Sequence, residues 1–305
     1  MEENNNYYKF KDGELRELQL KGLEMFLYLK KFCEQNNLLI YFCGGCCIGT
    51  VRNQGFIPWD DDVDVFMPRD DYEKLKLMWN EKADTKKYSC VFPTKDVFTR
   101  NMFMTINDNN TTFIKIHQKD LDINHGIVID VLPLDGCPSN KIKRKIQKFW
   151  ALIYSLYCTQ MVPENHGKLI KNIGKLMLKL VPTKKGRYKL YKFAEKKMTK
   201  YKIKDCKYIT ELCSGPKYMQ NEYPKEIFEG AIYKKFEGYD MPIPKGYDQY
   251  LKMAFGDYMK LPPMEKQIPE HNVVMCDIHN NYKKYKGIYY CNVKEENKKW
   301  FLEQF

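Results

Sequence analysis

GGCCIGTVRNQGFIPWDDDVDVFMPR, residues 44–69, places four carboxylates within five positions: Asp60, Asp61, Asp62 and Asp64. Acids crowded this closely repel one another unless a cation or solvent intervenes. Val63, Val65 and Phe66 interleave with them, which fits a strand over residues 63–67 ended by Pro68. On such a strand Asp62 and Asp64 share one face, because side chains alternate, while Val63 and Val65 turn to the core. Two carboxylates on one strand face suit Mg²⁺, with Mn²⁺ as the alternative ion. Such ions take oxygen ligands and usually keep water and substrate phosphate in their shells. A solvated or calcium-binding loop is the competing reading, and the apolar alternation argues against it.

Working upstream, residues 38–43 form a short apolar run that fits a buried strand. Gly44-Gly45 breaks it, and a short helix over 46–53 follows. A strand–Gly-Gly–helix turn exposes backbone N–H groups to an anion. Gly44 and Gly45 are therefore candidate phosphate binders, although alone such a pair is usually just a turn. Arg52 and Arg69 are the nearest cations, able to clamp phosphate oxygens bidentately or to pair with neighbouring acids.

Working downstream, Asp130 stands inside GIVIDVLPLDG (126–136), where a lone acid is costly to bury. Beside Asp62 and Asp64 in one sheet it would be a third metal ligand. It is also the candidate base for an incoming hydroxyl. Lys115, inside FIKIH, is a further candidate phosphate ligand. Asp60 and Asp61 read as supporting or helix-capping acids, with ligation of a second metal as the alternative role for one of them, and Trp59 reads as a core residue. His117, His125 and His271 read as structural, with proton transfer as the alternative role.

The remaining elements follow from periodicity. A helix is expected over 14–36, and Asp70 or Asp71 caps another that runs to about residue 80. Short strands are expected over 88–92, 102–106, 111–116 and 126–132, the last closed by Pro133 and a turn at Asp135-Gly136. Three helices then fill residues 141–202, followed by a hairpin over 231–241 and a helix over 247–255 ended by Gly256. Strands first and helices later give an α+β class. The expected organisation is a catalytic core over 1–140, a basic helical insertion over 141–210 and a C-terminal part over 211–305 that completes the core.

The 305 residues are 44% apolar and 14% aromatic, which excludes a disordered chain. No apolar run reaches the length of about 18 residues that a membrane span requires. The polar start carries no secretory signal, so a cytoplasmic location is expected. The 11 cysteines show no zinc-ligand spacing and read as buried free thiols. Net charge is +12, but residues 141–204 hold 19 basic side chains against two acids, leaving the remainder at −5. That block suits an anionic surface, such as nucleic acid, a phosphorylated polymer or membrane lipid with peripheral contact at the inner membrane face, or else a solvated helical face. It carries no recognised nucleic-acid-binding motif, so nucleic acid is not an expected partner.

Gly49-Thr50-Val51-Arg52 followed by GFIPWDDDVD (55–64), with Met67-Pro68-Arg69 and Asp71-Tyr72, resembles the signature of the LicD family, which includes fukutin and fukutin-related protein. GIVIDVLPLDG is similar to that family's second motif. PIPKGY (242–247), Tyr250-Leu251, FGDYM (255–259) and Leu261-Pro262-Pro263 are similar to its C-terminal one. The resemblance implies a nucleotidyltransferase-like mixed sheet flanked by helices. It also implies transfer of a substituted phosphate from a CDP-alcohol donor, CDP-choline in LicD proteins and CDP-ribitol in some eukaryotic relatives. The implied acceptor is a glycan hydroxyl on lipopolysaccharide, teichoic acid or capsule, lipid-linked in some cases, at the inner membrane face. The alternative within the same fold is a nucleotidyltransferase that moves NMP from an NTP.

Overall fold

The computed structural model describes residues 8–162 and 167–293. Helix α1 (Glu14–Gln35) starts after Gly13, whose φ of +86° few other residues adopt, and Glu14 and Glu17 complement the dipole of its first turn. It buries a stripe that includes Leu18, Met25, Phe26, Leu29 and Phe32. A Cβ on Gly22 would stand 2.9 Å from Val63 Cγ2, so the missing side chain lets α1 cross close under the acid-bearing segment.

The central sheet is mixed. Its path runs β1 (Tyr41–Phe42), β2 (Asp64–Pro68), β6 (Val128–Cys137), β4 (Met104–Asp108) and β3 (Tyr88–Val91). β2 and β6 are parallel, and the other pairs along the path are antiparallel. The far half of β6 pairs with β7 (Tyr208–Thr210), which pairs with β8 (Tyr223–Pro224). Two further ladders stand apart, the hairpin of β9 (Ala231–Phe236) with β10 (Tyr239–Pro244), and β5 (Thr112–Lys115) with β11 (Val273–Asp277). Helices α2 (Gly44–Arg52), α3 (Arg69–Lys82) and α7 (Tyr247–Phe255) complete the main body. Its core includes Phe26 stacked on Phe42 at 4.2 Å and the fully buried Trp79, whose Nε1 donates to the Tyr88 carbonyl.

Three expectations need correction. Pro133 does not end its strand. β4 leaves the edge of β6 at Val131 and β7 joins it at Asp135, so Pro133 falls in the gap, where its missing N–H costs no ladder bond on that side. Asp70 and Asp71 do not cap α3. The helix begins at Arg69 after Pro68, and both acids lie in its first turn, where the dipole favours them. Trp59 is half-buried and is not a core residue.

The basic block folds as α4 (Lys141–Thr159), α5 (Gly167–Leu180) and α6 (Lys184–Met198). α4 and α6 form a second core from Ala151, Tyr154, Tyr191, Ala194 and Met198, completed by Leu212 and Cys213. Buried Gln147 ties this layer to β6 by donating to the Gly136 carbonyl at 2.8 Å. Eight of the eleven free cysteines are buried.

Candidate active site

The parallel register of β2 and β6 sets Asp64 opposite Asp130. Asp62 lies two residues before Asp64, the first residue of β2, so the three acids expected from sequence meet at one end of the sheet. The Asp130 N–H donates to the Val63 carbonyl and the Cys43 N–H to the Asp64 carbonyl, which fixes three backbone segments around this point. Burial pushes the Asp62 carboxyl up, aided by Asp130 and opposed by His271 and Lys115. Burial also pushes Asp64 well up, with the charges of Asp62 and Asp130 adding to it. Lys115 Nζ, itself buried, lies 3.4 Å from Asp130 Oδ2. Burial alone would lower Lys115, but Asp130, Asp62 and Asp64 together hold its pKa above the ordinary value.

The outer acids are held differently. Asp61 is buried and accepts from the backbone N–H of His271 at 3.1 Å, with His271 Nδ1 at 3.0 Å from its other oxygen. Burial and Lys115 act to lower the His271 pKa, but the bond to Asp61 and the charge of Asp62 leave it raised. Carboxylate oxygens of Asp60, Asp61 and Asp62 lie within 4.8 Å of one another. Gln19 of α1 pins this loop by donating to the Ile57 and Asp60 carbonyls.

A cation fits here on structural grounds. Asp60 Oδ2 and Asp130 Oδ1 are buried with no hydrogen-bond partner among the described residues. Unpaired buried carboxylate oxygens are costly, and a hard divalent cation would satisfy them.

The glycine turn packs directly on these acids. Gly44 opens α2 with φ +51°, and a Cβ there would sit 3.6 Å from Asp64 Oδ2. A Cβ on Gly45 would overlap Asp60 Oδ2. Gly45→Ala is therefore expected to displace Asp60 and reduce turnover on the order of 10²-fold, the usual effect of moving a site by about 1 Å. Steady-state kinetics beside a thermal melt would check this; turnover within twofold of the parent would count against it.

Other expected phosphate ligands are engaged elsewhere. The Gly44 N–H is donated to the Tyr250 hydroxyl at 3.0 Å, so it does not face open space. Arg52 donates to Asn53 Oδ1 and to the Tyr258 carbonyl, tethering the segment after α7. Arg69 is buried in a two-pronged pair with Asp135, at 2.8 and 2.7 Å, on the far half of β6. That carboxylate occupies its fork, which corrects the expectation that it reaches the donor. His117 is held down at about 4, by burial first and by Lys115 next. His125 stacks on Tyr290 at 4.3 Å with its Nε2 against the Leu121 carbonyl, a structural position.

Glu211 went unread in the sequence. It is buried, takes a hydrogen bond from the Tyr223 hydroxyl, and burial pushes it up to about 7. Tyr223 packs on Tyr250 at 5.6 Å, Tyr250 on Phe255 at 6.2 Å, and Phe255 on Tyr218 at 5.9 Å. Tyr250 is the residue that holds Gly44, so this aromatic group adjoins the acids. Its signal was an acid within the run ITELC (209–213), the same kind of signal that marked Asp130.

Residues 37–150 match the family model described as LicD/FKTN/FKRP, nucleotidyltransferase domain. The chain is also 31% identical over 268 residues to "Lipopolysaccharide cholinephosphotransferase LicD" of Haemophilus influenzae, covering 84% of this chain and 96% of that protein. The chain belongs to the LicD family. Membership makes it a transferase, and the mixed sheet agrees with the nucleotidyltransferase domain of the family description. The matched segment of this LicD-family chain contains Asp62, Asp64, Asp130, Lys115 and both glycines.

Proposed function

We propose that this LicD-family chain transfers phosphocholine from CDP-choline to a hydroxyl of a cell-surface glycan, lipopolysaccharide in the first place, with teichoic acid and capsule as the related acceptors. The observation that carries the reaction class is the pairing of Asp64 with Asp130, an unsatisfied oxygen on the latter, beside the Gly44-Gly45 turn. The relative's activity supports choline as the group transferred.

Asp62, Asp64 and Asp130 would hold Mg²⁺, or Mn²⁺, whose charge would neutralise the diphosphate and the departing nucleotide. The chain's own groups do the rest. Gly45, at the first turn of α2, offers its N–H to a phosphate oxygen. Lys115, 3.4 Å from Asp130 Oδ2, adds positive charge beside the leaving group. Asp130 also accepts the proton of the attacking sugar hydroxyl. The hydroxyl oxygen bonds to the phosphorus that bears choline, and the bond from that phosphorus to CMP breaks. Glu211 and the rings of Tyr218 and Phe255 supply the carboxylate and π faces that a quaternary ammonium favours.

The test is CMP release from CDP-choline, CDP-ethanolamine and CDP-ribitol, each with a lipopolysaccharide acceptor, in Mg²⁺ and in EDTA. CMP from CDP-choline in Mg²⁺, lost in EDTA, is the expected result. Pyrophosphate released from CTP in a parallel incubation, with no CMP from any CDP-alcohol, would replace this reading with nucleotidyl transfer.

A further inference from the structure

The basic helical layer has no part in the reaction just described, and α5 is its most unusual element. Leu169, Ile173, Leu176 and Leu180 recur at spacings of four, three and four, forming one stripe along the helix. That stripe points outward, with exposures of 74%, 49%, 57% and 71%. The inner face is a different one. There Gly174 is buried and Met177 and Leu178 pack against the second core, with the Tyr157 hydroxyl donating to the Met177 carbonyl. Lys168, Lys175 and Lys179 are exposed on the third face, and the helix carries no acid. α4 repeats the pattern, with Ile142, Ile146 and Phe149 exposed at spacings of four and three among Lys141, Lys145 and Lys148.

We propose that α5, with the exposed stripe of α4, is an anionic-membrane docking surface, lying in the plane of the lipid headgroups with its aliphatic side chains among the acyl chains. Charge complementarity selects the occupant. Residues 141–204 carry 19 basic side chains against two acids, which attracts anionic lipid and repels a second copy of the same face. Composition selects it further. Protein interfaces favour aromatic residues and Arg and disfavour Lys, whereas α5 reads GKLIKNIGKLMLKL, with four Lys and no aromatic or Arg. A nucleic acid would use the lysines but leave the aliphatic stripe without a partner. The 14-residue helix spans roughly 21 Å, short of the roughly 30 Å hydrocarbon core, so it lies on the bilayer and does not cross it. No helix among the described residues is long and apolar enough to cross one. This inference goes beyond the transfer reaction and stands whichever donor is used.

The full chain would be sedimented with vesicles of phosphatidylcholine alone and of phosphatidylcholine with 30% phosphatidylglycerol. Binding to the anionic vesicles only, weakened by 0.5 M salt, is expected. Ile173→Glu with Leu176→Glu should weaken it at least tenfold, with the melting temperature and CMP release to a soluble acceptor unchanged. Lys168→Gln, Lys175→Gln and Lys179→Gln together should weaken it on the order of 10²-fold. Leu176→Trp should show a blue-shifted emission on anionic vesicles, which electrostatic adsorption alone would not produce. No binding by the parent, equal binding by the double Glu variant, or an unshifted tryptophan would each overturn the proposal. So would a lipid-free dimer that the double Glu variant dissociates, because the stripe would then be a contact between copies.

Discussion

Asp64→Asn will fold, melt above the parent when metal is stripped, and lose transfer by at least about 10³-fold. The two effects share one cause. Asp64 is half-buried opposite Asp130 and beside Asp62, and its carboxyl is pushed well up by desolvation and by those charges. An amide of the same shape removes a repulsive charge but also removes one of the oxygens proposed to hold the metal. Stripped of metal, the variant gains stability; each kcal/mol relieved raises the melting temperature by roughly 2 °C in a chain of this size. With Mg²⁺ present the parent gains and the variant does not, because binding to the folded state alone stabilises it. Melting curves in EDTA and in Mg²⁺, with CMP release alongside, check both halves. A variant that melts lower in EDTA, or that keeps a tenth of its turnover, would refute the assignment.

The same acids set a pH dependence. Asp60, Asp62 and Asp64 all have folded carboxyls raised above their unfolded values, in each case by burial first. Above the unfolded value near pH 4, the folded state therefore holds more protons than the unfolded one, and stability falls as pH rises through the raised values. The metal-free protein is expected to be more stable at pH 5 than at pH 8. Mg²⁺ should flatten that slope, since it replaces the protons as the neutralising charge.

Sequence and structure agree best where chemistry and strand periodicity coincide. Asp64 and Asp130 each interrupt an apolar run, so each is visible as an acid that needs a partner, and the register of β2 with β6 brings them together. Distance along the chain misleads where the backbone turns. Arg69 is five residues from Asp64, but β2 carries it to the other end of the sheet, where Asp135 meets it. In the sequence Pro133 reads as a stop, but a missing N–H matters only where a strand neighbours it, and that neighbour is set by β4 and β7, far away in sequence. Gly44 reads as an anion binder, yet its N–H is claimed by Tyr250, 206 residues on. Glu211 gave the same signal as Asp130 but had no repeated spacing or neighbouring acids to draw notice.

The Arg69–Asp135 pair will decide between two roles for one arginine. Arg69→Met leaves a carboxylate that is 1% exposed without its counter-charge. Breaking a buried pair from one side usually costs about 3–5 kcal/mol, so the melting temperature should fall by roughly 6 °C or more. Arg69 also stacks over Tyr72 at 5.1 Å, and the thioether of Met keeps part of that packing. The double variant Arg69→Met, Asp135→Leu removes both charges together and should recover most of the loss, since apolar replacement of a whole buried pair is often neutral. For the fraction that stays folded, KM for CDP-choline should remain within about twofold in both variants, because the guanidinium faces Asp135 and not the donor. Had Arg69 clamped the diphosphate, KM would rise in both variants and the second substitution would restore nothing. Melting temperature and KM measured on the same two proteins therefore separate a residue that holds β6 in place from one that binds phosphate. The position of Asp130 depends on the first of these.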